Sequence, residues 1–166
     1  MICKAILIDA ARREIREVDY EPHGPRDVRT ALECNAPGIC VGWAFTTGDI
    51  LYVNDEGILH PARTFFRWRP RPDGMPYVGN GLIVGREVED FDNDTWYTEN
   101  PEVTIEELRD CVEWIDRRQA AAWALEHADD PGQTITTFGH DGKPGETVVT
   151  TTMGELWANA LRDEDE

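Results

Sequence analysis

One stretch of the chain combines side chains that bind anions with side chains that stack on rings, the segment ARTFFRWRPRP at residues 62–72. Arginine pairs bidentately with phosphates and carboxylates, and it also stacks on aromatic rings. Such a strand suits a nucleotide-like anion, and the GNG turn at residues 79–81 would add an amide side chain. The residues predicted to bind this small ligand are Arg63, Arg67, Trp68, Arg69 and Asn80.

The same arginines have an internal alternative, because the chain is unevenly charged. Its 16 basic and 33 acidic residues give a net charge of −17. Residues 1–90 hold 11 basic and 14 acidic side chains, a net of −3, whereas residues 91–166 hold 5 and 19, a net of −14. We therefore favour the interpretation that the arginines dock the acidic half onto the rest of the protein.

The acidic half supplies a second set of candidate functional residues. Five carboxylates recur three and four positions apart, the spacing that places side chains on one face of a helix. Carboxylates along a helix can imitate the phosphates of DNA and occupy a basic cleft on another protein. A solvated helix face is the alternative. The residues predicted to bind such a partner are Glu106, Glu107, Asp110, Glu113 and Asp116.

The sign of the charge determines which partners are expected. A strongly negative surface repels nucleic acid, whose binding requires Lys and Arg to neutralise phosphates, so we expect no direct nucleic-acid binding. A basic protein is the expected partner. The competing explanation is adaptation to salt or for solubility, since Lys4 and Lys143 are the only lysines in the chain.

The remaining residues give no catalytic, metal or cofactor set. Asp55, Glu56 and His60 are close in sequence, but NDEG at residues 54–57 is typical of a hairpin turn exposed to water. The glycines near residue 80 match neither a dinucleotide-binding nor a Walker phosphate loop. The four cysteines form no CxxC pair, so we expect no zinc site. The N-terminal MICKAILIDAARRE has no charged leader followed by a long apolar core, so we expect a cytosolic protein with reduced thiols. No segment has the apolar length of a membrane span.

The elements that must position these residues predict an α+β fold. Extended segments rich in β-branched and aromatic residues predict a mainly antiparallel, twisted sheet over residues 4–88. A short helix at residues 25–34 is expected to pack against it. The predicted strands lie at residues 4–9, 14–20, 39–46, 49–53 and 64–69, and a last one, at residues 82–84, lies within the segment 79–87.

We expect a β-rich core domain, residues 1–90, that carries an acidic helical extension, residues 91–166, with a single domain as the alternative. The segment 89–102 is interpreted as a linker whose aromatic residues pin it onto the sheet; these are Phe91, Trp96 and Tyr97.

Two capping boxes mark helices in the extension. The first, at Thr104 and Glu107, predicts one long helix that continues to His127. A hairpin within residues 134–151 and a short helix from Thr152 are expected to follow.

The order of these motifs resembles a family of small uncharacterised proteins of bacteriophages, prophages and plasmids. The likeness is carried by ILIDA, REIREVDY, GDILYVNDEGIL, FFRWRP and GNGLIVG, and it covers residues 4–88. The shared motifs are turns and glycines. The resemblance therefore implies a mobile-element origin and action on host machinery, and it carries over no catalytic residues.

These observations give one leading hypothesis and one alternative. The leading hypothesis is a non-enzymatic acidic protein of the host-cell cytoplasm that binds and inhibits a basic host protein, by imitating DNA. The alternative is a small-ligand module that binds a nucleotide-like anion through the arginine-aromatic strand and the GNG turn. The oligomeric state is left open.

Overall fold

The chain begins with a β-hairpin in the computed structural model, which describes residues 1–22, 24, 26–33, 39–138 and 143–163. Strands β1 (Cys3–Asp9) and β2 (Glu14–Tyr20) pair antiparallel along their full lengths. The apolar β1 is buried over nearly its whole length, whereas the charged β2 is partly exposed. The predicted opening hairpin is confirmed.

This hairpin forms one side of a five-stranded antiparallel sheet in the order β2-β1-β7-β4-β3. β7 (Gly81–Val84) lies at the centre, hydrogen-bonded to β1 and to β4 (Ile50–Asn54), and β3 (Ile39–Ala44) forms the second edge. A continuous apolar run such as that of β7 fits a strand that is covered on both faces. The mainly antiparallel arrangement predicted for residues 4–88 is confirmed, but its strands are divided among this sheet and two others.

Two short helices flank this sheet. α1 (Val28–Ala31) is capped by Asp27, whose side chain accepts a hydrogen bond from the Thr30 N–H at 3.1 Å. The NDEG sequence does not form the expected hairpin turn but leads into a 3-10 helix, Asp55–Leu59. The reason is that β4 already pairs with β3 on one side and β7 on the other, so no following strand can fold back onto it.

A second, three-stranded sheet has the order β10-β5-β6. Its middle strand β5 (Phe65–Trp68) pairs antiparallel with β6 (Tyr77–Val78) and with β10 (Val112–Ile115). As the alternation of the sequence predicted, Phe66 and Trp68 pack into one hydrophobic cluster and Phe65 into another. β5 therefore carries the aromatic side chains of the predicted segment into the interior.

The single long helix predicted up to residue 127 is wrong, because a strand interrupts it. α2 (Ile105–Cys111) ends where β10 begins, and α3 (Arg117–Glu126) follows β10. Val112 and Ile115 have helical spacing, but both are β-branched and pair with the edge of β5 that β6 leaves open. Pairing over buried aromatic residues outweighs the local periodicity here.

The remaining elements are two hairpins and a last helix. β8 (Glu87–Asp90) pairs with β9 (Thr95–Thr98), in the segment that was expected to be a linker. β11 (Thr134–Phe138) pairs with β12 (Pro144–Val149), and α4 (Met153–Ala160) follows. The predicted C-terminal hairpin and short helix are confirmed, and so is the α+β fold class.

Both halves of the chain contribute to the same hydrophobic clusters. One cluster joins Phe65 of the first half to Trp123 and Trp157 of the acidic half, with 6.2 Å between the ring centroids of Phe65 and Trp157. A second cluster joins Phe66 to Leu108 of α2. The acidic extension therefore packs on the β-rich part and shares its interior.

A buried carboxylate also connects the two halves. Asp49, immediately before β4, is 1% exposed, and its Oδ2 accepts hydrogen bonds from the backbone N–H groups of Glu102 at 3.0 Å and Val103 at 2.9 Å. A buried carboxylate is stable where hydrogen bonds replace its hydration. The two bonds therefore fix the segment that leads into α2.

Candidate functional site

The five carboxylates predicted to bind a partner do not share one helix face. Glu106, Glu107 and Asp110 lie on α2, whereas Glu113 lies on β10 and Asp116 caps α3. The prediction of a regular row of carboxylates along one helix is therefore wrong, since β10 separates the two helices. The imitation of DNA that required this row loses its structural basis.

Two of these carboxylates cap helices. Glu107 Oε2 accepts a hydrogen bond from the Thr104 backbone N–H at 2.8 Å, and this bond lowers the pKa of Glu107. The Asp116 side chain accepts from the Gln119 N–H at 2.9 Å. Both carboxylates thus satisfy N–H groups that the helix starts leave without a partner.

Two arginines of the basic segment join β5 to the acidic half. Arg67 Nη1 lies 3.3 Å from Glu113 Oε2, and Arg67 Nε donates to the Gly74 carbonyl at 3.2 Å. Arg69 Nη1 donates to the Asp110 carbonyl at 3.3 Å. These contacts agree with the internal docking interpretation of the arginines.

Most of the residues predicted to bind a small anion make contacts with other parts of the protein. Trp68 is buried, so its ring presents no face to a ligand. The Asn80 side-chain oxygen accepts a hydrogen bond from the Ala10 N–H at 3.0 Å and so supports the turn after β1. Arg63 is exposed just ahead of β5. The structure does not present Trp68 and Asn80 as an open anion site.

Among the described residues, no group of three or more His, Cys, Asp or Glu side chains is placed to hold a metal ion. In the same part of the chain, no helix has both the length and the apolar character needed to cross a membrane.

The β8–β9 hairpin exposes large aromatic side chains. Phe91 at its tip is 83% exposed, and Trp96 on β9 is 65% exposed. The prediction that these residues pin the segment onto the sheet is wrong for both. The two strands form a sheet of their own, on which Trp96 stays largely exposed.

Acidic side chains surround these rings. Residues 87–98 contain five acidic residues and no basic one. Trp96 lies directly opposite Glu89 in the strand register, and Glu87 projects from the same face. Glu87 and Trp96 also line a surface cleft of about 200 Å³ together with Met1 and Tyr97. Trp96 therefore presents its ring among carboxylates.

The hairpin is held at both ends. In the turn, the Asp90 side chain accepts hydrogen bonds from the Asp92 N–H at 3.1 Å and from Asn93 Nδ2 at 2.7 Å. At the base, the Asn100 side-chain oxygen accepts from the Lys4 N–H of β1 at 2.8 Å. These bonds limit the conformational entropy that binding through the hairpin would cost.

Comparisons with known proteins found no family model, no curated protein and no solved structure that matches the chain. The function is therefore inferred from the chemistry of the hairpin. The face of a tryptophan ring attracts Lys and Arg cations, and neighbouring carboxylates add charge pairs. The sequence did contain a signal for this element, because the Asp-Asn-Asp sequence at residues 92–94 is typical of a tight turn.

Proposed function

We propose that this protein is a non-enzymatic interaction protein of a phage or another mobile element. In the cytoplasm of the host cell it binds a basic host protein through the β8–β9 hairpin and inhibits that protein by covering its basic surface. The observation that supports the proposal is the exposure of Phe91 and Trp96 on a hairpin with five carboxylates and no basic residue. Exposed aromatic side chains rimmed by polar groups are typical of protein interaction sites.

Trp96 is the central contact in this proposal. Tryptophan is enriched among the residues that dominate binding energy at protein interfaces. A Lys or Arg side chain of the partner stacks on the Trp96 ring and pairs with Glu87 or Glu89, while Phe91 packs on an apolar part of the partner. The net charge of the whole protein, −17, steers a basic partner towards it from a distance.

The test compares hairpin variants with a charge-matched control. The protein is immobilised, incubated with host lysate, and the retained basic proteins are identified and then purified for affinity measurements. Phe91→Ala/Trp96→Ala removes the rings. Glu89→Gln/Asp92→Asn removes two hairpin charges, and the control pair Glu106→Gln/Asp110→Asn removes two charges from α2. Circular dichroism and urea unfolding confirm that each variant is folded.

Loss of both rings is expected to weaken binding of the purified partner by roughly 30-fold or more, because truncating such a residue costs about 2 kcal/mol or more. Removal of the two hairpin charges is expected to weaken binding more than removal of the two α2 charges, and affinity should fall as the salt concentration rises. Unchanged binding without the two rings would contradict the proposal. Equal losses from the two charge pairs would instead assign binding to the overall charge.

A further inference from the structure

A second recessed site lies beside the edge strand β3. A cleft of about 350 Å³ opens between β3, the 3-10 helix and the loop that leads into β6. This volume lies within the range of small-molecule sites. Its apolar lining includes the buried side chains of Val53, Ile58 and Met75, and its polar lining includes Asp55 and Arg71.

The wall formed by β3 is fixed by a close approach to Tyr77. The register of β3 against β4 shifts between Val41 and Trp43, which marks a bulge at Gly42. The Tyr77 hydroxyl donates to the Gly42 carbonyl at 2.6 Å. A Cβ at Gly42 would lie 3.1 Å from Tyr77 Oη, so the strand can approach the ring because residue 42 has no side chain.

The guanidinium of Arg71 is also held in place at the cleft. It lies 5.1 Å from the centroid of the Tyr77 ring, and its Nε lies 2.6 Å from Asp73 Oδ1. Arg71 Nη2 donates to Asp73 Oδ2 at 3.0 Å and to Met75 Sδ at 3.5 Å. Because these contacts exist without a ligand, a ligand gains a cationic donor whose position is already set.

Asp55 supplies the opposite charge in a site that has lost part of its hydration. Burial raises the pKa of Asp55, and the Cys40 thiol is its hydrogen-bond partner. Burial also raises the pKa of Cys40 to about 11, so this thiol stays protonated at neutral pH. A thiol is a weak donor. The Asp55 carboxylate therefore gains free energy from a ligand that brings stronger N–H donors.

The two charges together select the ligand. A cationic ligand would face the Arg71 guanidinium, and an anionic ligand would face Asp55 and Asp73, the residue that pairs with Arg71. An uncharged planar ring that carries both N–H donors and a carbonyl acceptor satisfies both groups and packs on the apolar wall. Two adjacent N–H groups on one edge match a carboxylate in the same bidentate way as a guanidinium does.

We propose that this cleft binds a guanine-type heterocycle, whose two adjacent N–H groups donate to Asp55 and whose ring carbonyl accepts from Arg71. The ring lies against Val53, Ile58 and Met75. The unphosphorylated nucleoside binds better than its monophosphate, because the net charge of −17 opposes an added anion.

The experiment measures guanosine, inosine and guanosine monophosphate by titration calorimetry. Inosine lacks the 2-amino group, and its affinity is expected to be roughly tenfold lower because one bond to a charged acceptor is lost. Asp55→Asn is expected to reduce guanosine affinity by roughly tenfold or more. The control Asp110→Asn makes the same chemical change outside the cleft, and Phe91→Ala/Trp96→Ala removes the hairpin rings; both should bind guanosine normally.

A second measurement does not depend on any variant. Bound guanosine should slow alkylation of Cys40 in the intact protein and leave Cys111 unaffected, as followed by peptide mass spectrometry. Absence of guanosine binding overturns the proposal, as does equal binding by a folded Asp55→Asn variant or equal affinity for inosine. If Asp55→Asn does not fold, the proposal is overturned instead when guanosine fails to slow the alkylation of Cys40.

Discussion

Replacement of Asp49 by alanine should remove one of the connections between the acidic half and the β-rich part. The Asp49 carboxylate is buried, and one of its oxygens accepts both the Glu102 and the Val103 backbone N–H bonds. Asp49→Ala deletes both bonds and leaves two N–H donors without this acceptor. Asp49→Asn is the matched control, because its single amide oxygen can still accept both.

The expected loss follows from these two bonds. A hydrogen bond to a charged group contributes about 1.5–3 kcal/mol, and the lower end applies here because both bonds are only partly buried. Asp49→Ala should therefore lower the free energy of unfolding by about 3 kcal/mol. For a chain of this length the corresponding fall in Tm is roughly 6–12 °C. The free energy of unfolding should fall clearly less in Asp49→Asn, since this variant keeps the hydrogen-bond geometry and loses only the charge.

Urea unfolding followed by tryptophan fluorescence gives the free energies, and calorimetry gives the Tm values. Hydrogen exchange at residues 101–103 should accelerate in Asp49→Ala, because the segment loses its anchor. A loss below about 1 kcal/mol in Asp49→Ala, within the range of ordinary surface substitutions, would refute this account of the connection. So would equal losses in the alanine and asparagine variants.

Two further predictions concern a close backbone contact and a pH dependence. Gly85→Ala should lower the free energy of unfolding by about 3 kcal/mol or more, because a Cβ there would overlap the Glu99 carbonyl oxygen and lie 2.8 Å from the Asn100 carbonyl carbon. Urea unfolding measures this loss against the control Gly79→Ala. The Cβ of that control meets no atom within 4 Å, so the loss should be only about 1–2 kcal/mol, caused by the φ of +78°. The pKa of Asp55 is raised by burial, so the contribution of this group to stability is fully present below the unfolded pKa near 3.8 and is lost as pH rises through the folded pKa. The Tm of Asp55→Asn should therefore rise relative to that of the wild type as pH increases above about 4. A Tm difference that stays constant across pH would contradict this.

Local sequence signals predicted much of the fold. The capping box at Thr104 and Glu107 marks the start of α2 because both hydrogen bonds form within four residues of chain. The opening hairpin and the apolar β7 follow equally from short segments. Each of these features depends on neighbours in sequence, which is the information that periodicity and turn chemistry contain.

The errors arose where a distant partner decided the structure. Val112 and Ile115 have helical spacing, but the open edge of β5 placed them in a strand, from which they pack into different hydrophobic clusters. NDEG fits a turn, but β7 took the place beside β4 that a returning strand would need. The candidate site was missed for a related reason, since composition predicts burial of Trp96 and no local signal shows that the residue stays exposed on a separate two-stranded sheet.

The pairings of β7 and β10 affect the rate at which the chain folds. β7 joins the β1–β2 and β3–β4 hairpins, and it pairs Val84 with Ala5, 79 positions earlier (84 − 5 = 79). β10 closes the second sheet across 46 positions, between Arg67 and Glu113. Non-local pairings of this kind slow folding, because loop closure costs entropy before the contacts form. During synthesis, the edge of β5 stays unpaired until β10 has been made, and chaperones that shield such edges are expected to engage the nascent chain in that interval.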